Sequence, residues 1–158
     1  MSESTKRSLD SFDQAILRML QQDNKTSQRA IAEAIGLSTP AVQRRIAHLE
    51  ASGVIVANTA VVAPESLGQD ITAIVESRLR DDRSVVMDRA KRYFAGVEEI
   101  QQCYFVNGGV SFIIVMIAQN IAHFERLVRL HFAENEDILT YRTLIVLDKV
   151  KVGLSVPV

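Results

Sequence analysis

The chain has 158 residues, a formal net charge of −1, and 47% hydrophobic against 23% charged residues, a balance that supplies a sizeable core and argues against disorder. Near-neutrality excludes a uniformly basic polyanion binder, so any nucleic-acid surface has to be a local patch. A single cysteine, Cys103, leaves no partner for an intrachain disulfide and speaks against a multi-thiolate metal centre.

Residues 9–20 carry Leu9, Phe12, Ile16, Leu17 and Leu20 at helical spacing, with Asp10 and Asp13 suited to the positive N-terminal end of a first helix. After a polar break, Ser27 is placed to cap a short second helix with Ile31, Ala34 and Ile35 on its buried face, and Gly36 to end it in the left-handed conformation. Leu37 packs inward at the corner, Ser38 or Thr39 can cap, and Pro40 is tolerated in a first turn. Val42, Ile46 and Leu49 then form the buried stripe of a third helix that stops at Gly53. Two short helices joined by Gly36-Leu37-Ser38 make a helix-turn-helix. Residues 54–62 are rich in β-branched side chains, which predicts a short strand or hairpin at the domain edge and a winged-helix-like outline.

The Pro64 and Gly68 segment changes the composition and predicts a linker over 63–70. Beyond it, residues 71–80 alternate as a strand does, and 84–94 form an amphipathic helix with Val86, Ala90, Tyr93 and Phe94 inward, closed by Gly96. Strands over 100–106 and 110–118 flank Asn107-Gly108-Gly109, a short-hairpin signal because these residues tolerate positive φ. A helix over 121–132 buries Ile121, Phe124, Val128 and Phe132, and a last strand follows over about 138–147. The fold class is therefore α+β: a helix-turn-helix domain over 1–62 and a ferredoxin-like βαββαβ domain over 71–158. One layer of helices covers one face of a sheet, so the other face needs a second subunit, and a homodimer at minimum is expected.

With this element order, the whole chain resembles the Lrp/AsnC (feast/famine) family of transcription regulators. The run Leu9-Asp10-Ser11-Phe12-Asp13-Gln14-Ala15-Ile16-Leu17 is similar to that family's opening helix. Ile35-Gly36-Leu37-Ser38-Thr39-Pro40-Ala41-Val42-Gln43-Arg44-Arg45-Ile46 is similar to its corner and recognition helix, and Leu49-Glu50-Ala51-Ser52-Gly53-Val54-Ile55 to its exit. The resemblance implies promoter binding, dimers that often assemble further into tetramers, octamers or hexadecamers, and, as in many members, an amino-acid effector bound between C-terminal domains.

A helix-turn-helix sends the start of its second helix into the major groove. Around the third helix Arg44 lies almost opposite the core, with Gln43 and Arg45 on its two flanks and His48 also outward. Ser38, Thr39, Gln43 and Arg44 are the expected base readers, since Gln pairs with adenine and Arg with guanine through two hydrogen bonds. Arg45, Lys25 and Arg29 suit phosphate, and Lys6 and Arg7 are two further cations in a polar tail. Residues 1–62 hold seven Lys and Arg against six Asp and Glu, leaving eleven against thirteen for the rest, so the head is only weakly basic.

The family's effector hairpin usually reads Gly-Asp-x-Asp-Tyr, whereas this chain reads Gly108-Gly109-Val110-Ser111-Phe112. Gly109 and Ser111 replace both carboxylates, which puts ordinary amino-acid sensing in doubt. Either a different effector is lined by Asn107, Gly108, Gly109 and Ser111, or the hairpin is structural; Glu76, Tyr104 and Thr143 are secondary candidates. His123 and His131, eight apart on one helix, do not form a close metal pair. Cys103 reads most simply as a small core residue. No catalytic constellation, cofactor motif or metal signature is legible, and no leader or membrane span, which implies a cytoplasmic non-enzyme. Two rivals share the architecture: a tetrapyrrole-acting decarboxylase resembling the sirohaem decarboxylases, which would use histidines such as His48, His123 and His131, and a mixed-oligomer partner with weak DNA binding.

Overall fold

The structure, a computed structural model, describes residues 9–158; Lys6 and Arg7 lie outside them. Three helices open the chain: α1 Ser11–Gln22, α2 Gln28–Ile35 and α3 Thr39–Ala51. A 3-10 turn, Pro64–Leu67, precedes β1 Ile71–Leu79, α4 Ser84–Ala95, β2 Ile100–Phe105, β3 Phe112–Ala118, α5 Ile121–Val128, a π-turn Arg129–Ala133 and β4 Ile138–Ile145. The chain divides into two compact units, residues 9–61 with Val152–Val158, and Val62–Lys151. The last seven residues thus pack with the helical head.

The head is built on Ile16, Leu17, Ile31, Ala32, Val42 and Leu49, all buried. In α2 the inward alanine is Ala32, and Ala34 is exposed; Phe12 of the first stripe is 38% exposed. Asp10 caps α1 in a reciprocal box with Asp13, and the Ser27 hydroxyl accepts from the Ala30 N–H at 3.1 Å to open α2. Gly36 has φ of 72°, a conformation that costs any residue with a Cβ about 1 kcal/mol or more. Its N–H and that of Leu37 both donate to the Ala32 carbonyl, so the corner needs no outside support.

The hairpin expected over 54–62 does not form: no residue there is in a strand. Its β-branched side chains have strand propensity, but a strand exists only against a partner, and Val56 and Val61 are almost fully exposed. The segment is tied back to α3 instead, with the Asn58 amide donating to Glu50 Oε1 at 2.8 Å.

In the second unit the four strands are antiparallel in the order β2-β3-β1-β4. Ala73, Val75, Ser77 and Leu79 of β1 and Phe112, Ile114, Met116 and Ala118 of β3 face the helices. With Ala90 and Phe94 of α4, Phe124 and Leu127 of α5, and Phe132, they make the core. Phe94 sits at its centre, its ring centroid 5.3 Å from Phe112 and 5.5 Å from Phe132. Cys103 packs against the same cluster, and burial pushes its thiol up. Register places Gln102, Tyr104, Ile113, Val115, Ile117, Thr72, Ile74, Glu76, Arg142 and Leu144 on the opposite, helix-free face. No helix among the described residues is long and apolar enough to cross a membrane.

His131, in the π-turn, is buried, and its Nδ1 lies 2.9 Å from the Tyr93 hydroxyl of α4. Burial lowers the imidazole below its ordinary 6.5, opposed by the Glu99 carboxylate. The unfolded chain therefore binds the proton more readily than the folded one, and stability is lost as pH falls through 6.5. Melting of this unit between pH 8 and about 5 should fall in wild type and fall less in His131→Gln, which keeps a hydrogen-bond partner for Tyr93.

Candidate nucleic-acid interface and ligand groove

Ser38 occupies the N-cap position of α3 but makes no side-chain cap bond, which leaves its hydroxyl available. Thr39, Gln43, Arg44 and His48 are all exposed, as are Lys25 and Arg29. The Gly36 corner sets the start of α3 and its buried residues Val42 and Leu49 set its rotation, so Gln43 and Arg44 are turned away from the core. Arg29 pairs with Glu33 one turn on, at 2.9 Å, a fully solvated pair that can be exchanged for phosphate at little cost. Arg45 is paired within the head: its guanidinium is turned onto α1, 2.8 Å from Asp10 and 2.6 Å from Asp13. Its place in the sequence, between Val42 and Leu49 at the edge of the buried stripe, was the signal for this.

The hairpin before β3 is held structurally. Gly108 takes φ of 126°, and Asn107, Gly108 and Gly109 are exposed. The Ser111 N–H donates to the Ser77 carbonyl at 2.8 Å, and its hydroxyl accepts from the Leu79 N–H at 3.0 Å, where β1 departs from regular register. Glu76 pairs with Arg142 at 2.7 Å, and the Tyr104 hydroxyl donates to Gln102.

Thr143 belongs to a different site, a groove of about 410 Å³ between α5 and the edge strand β4. Ile121, Phe124, Val128 and Ile145 supply an apolar floor, and Glu125, Arg129, Tyr141 and Thr143 bring polar groups to it. Among the described residues none of these four side chains is engaged in a hydrogen bond or ion pair. Sequence reasoning missed this groove because Ile121 had been assigned to the core; it is half exposed. The histidines are dispersed in role: His131 faces Tyr93, and His123 Nδ1 accepts from the Gln119 N–H at 3.3 Å.

A second missed feature lies at the far end of α1. Gln21 exchanges two hydrogen bonds with Val156, at 3.0 and 2.7 Å, Arg18 donates to the Val158 carbonyl at 2.9 Å, and Val158 packs against the head's core.

A three-helix head with a free-faced second helix after a glycine corner, followed by a ferredoxin-like domain, defines a helix-turn-helix regulator with a separate domain for assembly or sensing. Residues 9–50 match the model of the AsnC-type helix-turn-helix domain, and residues 72–156 that of the Lrp/AsnC ligand binding domain. The chain belongs to the Lrp/AsnC family. It is 35% identical over 150 residues to an HTH-type transcriptional regulator of Sinorhizobium fredii, covering 95% of this chain and 89% of that one. It is 29% identical to the leucine-responsive regulatory protein of Rhizobium meliloti, over 95% and 96% of the two chains. A transcriptional regulator of Neisseria meningitidis solved with L-Met shares the fold, with a TM-score of 0.89 at 21% identity over 95% of this chain and 97% of that one. The two domains together are those of a DNA-binding transcriptional regulator modulated by a small ligand.

Deleting residues 152–158 should cost the head about 1–2 kcal/mol, from three lost hydrogen bonds and the uncovered flank of α1. Two-probe thermal melts, with the head's transition lowered and the other unit's unmoved, would check it.

Proposed function

We propose that the chain is a cytoplasmic regulator, without catalytic chemistry of its own, that reads promoter DNA through Ser38, Thr39, Gln43 and Arg44, assisted by His48, with Lys25 and Arg29 on phosphates. The observation that carries this reading is the unpaired polar face of α3 after the Gly36 corner. The head is too weakly charged for strong non-specific attraction, so discrimination falls to direct contacts with bases.

Pairing of two copies through the helix-free sheet face is part of the proposal. Ile74, Ile113, Val115, Ile117 and Leu144 would bury one another there, while Arg142 and Glu76 already neutralise each other. Two heads would then read half-sites a helical turn or a multiple apart.

For the ligand, the proposed seat is the groove between α5 and β4. The hairpin lacks carboxylates and its one hydroxyl already accepts from Leu79, whereas the groove offers Glu125 for a cation, Arg129 for an anion and an apolar floor. An apolar zwitterion fits that set.

Two measurements test the proposal. On fragments selected from genomic DNA, Arg44→Ala should lose about 1–3 kcal/mol of discrimination against random sequence, whereas Lys25→Ala should weaken both alike and lower the salt slope by about one. Equal losses on both DNAs in Arg44→Ala would remove Arg44 from base reading. Titration calorimetry with L-methionine and L-leucine should give heats that vanish in Arg129→Ala and persist in Gly109→Asp. The opposite pattern would move the seat to the hairpin, and no heat from folded wild type would sink the zwitterion reading.

A further inference from the structure

Arg45 is one residue beyond Arg44, yet the two side chains do different things. Three residues after Val42 and four before Leu49, Arg45 leaves α3 about 60° from the centre of the buried stripe, whereas Arg44 leaves it near 160°. Its stem follows the edge of the core to the N-terminal end of α1, and its guanidinium carbon stands 5.4 Å from the centroid of the Phe12 ring. Nη1 donates to Asp10 Oδ2 at 2.8 Å and to Asp13 Oδ1 at 2.6 Å.

The remaining carboxylate oxygens are also committed. Asp10 Oδ1 accepts the Asp13 N–H at 2.8 Å, and Asp13 Oδ2 accepts the Asp10 N–H at 3.3 Å. Each acid therefore gives one oxygen to the cap of α1 and the other to Arg45. The start of α1 and the middle of α3 form a single hydrogen-bonded unit, two-thirds or more shielded at Arg45 and Asp13. A guanidinium facing two carboxylates has no net positive charge to offer phosphate, and withdrawing it would leave both acids uncompensated.

We propose that Arg45 is a positioning residue that locks the axial register and tilt of α3 against α1, so that Gln43 and Arg44 meet the base edges, and that it makes no phosphate contact of its own. This rests on α3 being the DNA-reading helix. The proposal also gives Asp10 and Asp13 a second role beside capping α1.

The two roles for Arg45 predict opposite effects in one variant. In Asp10→Asn/Asp13→Asn, asparagine still caps α1, but the ion pairs are gone and Arg45 is released. A phosphate-contacting Arg45 would then leave the preference for the selected fragment over random DNA unchanged; a positioning Arg45 would lower it.

We expect Arg45→Ala and the double variant each to lose roughly tenfold or more on the selected fragment. The loss on random DNA should be much smaller, and the slope of log K against log salt should not change in Arg45→Ala. Arg45→Lys, which keeps the charge without the planar guanidinium over the Phe12 ring, should fall between. A slope lower by about one in Arg45→Ala, or a double variant whose preference for the selected fragment over random DNA is undiminished, would overturn the proposal.

A readout without DNA separates this from the identity of the reading helix. Amide exchange along α3 should quicken in Arg45→Ala, in the double variant and less in Arg45→Lys, but not in Arg44→Ala. Unchanged exchange in Arg45→Ala would overturn the positioning role whether or not the protein binds the selected fragment.

Discussion

A head of some fifty residues can bury only a small core, and here that core is six side chains: Ile16, Leu17, Ile31, Ala32, Val42 and Leu49. At this size hydrophobic burial and the entropy of ordering the chain come close to cancelling, so polar staples at the helix ends decide whether the three helices keep a fixed arrangement. The head uses them at each junction. Asp10 and Asp13 close α1, Ser27 opens α2, Gly36 turns the chain without strain, and Arg45 joins α3 to α1. The returning residues Val156 and Val158 cover the far end of α1. Reading DNA asks for side chains held to a fraction of an ångström, and a core this small does not supply that alone.

The second unit meets the opposite condition. Its aromatic cluster of Phe94, Phe112 and Phe132 is ample for one layer, and Arg89 of α4 is clamped to Asp137 ahead of β4. What it leaves over is apolar surface on the helix-free face and an open groove along the edge strand. On the functional reading given above, these two surplus features are where assembly and ligand act, and the head carries the recognition.

Much of this was legible in the sequence because the signals were local. The 3.6-residue stripes, the Gly36 corner, the Ser27 cap and the Asn107-Gly108 turn each depend on residues within a few positions of one another, and the βαββαβ order follows from them. What escaped depended on distant partners. Residues 54–62 have the composition of a strand, yet strand formation is decided by a neighbour the composition does not contain. Arg45 looked like one more cation on a basic helix because Asp10 and Asp13 lie more than thirty positions away, and the bonds of Gln21 to Val156 span 135. The bond that the Ser111 hydroxyl accepts from Leu79, where β1 departs from regular register, likewise joins residues 32 positions apart. Ile121 fits a helical stripe, but an edge strand too far from α5 to cover it left a groove.

The central claim is that α3 enters the major groove of DNA as one of a symmetric pair. Hydroxyl-radical footprinting of the folded protein on a selected fragment tests it most directly. Protected patches on one face of the duplex, centred about 10–10.5 base pairs or a multiple apart and lost as salt rises, are the expected result. Uniform cleavage at low salt, with the protein folded and in excess, would contradict it.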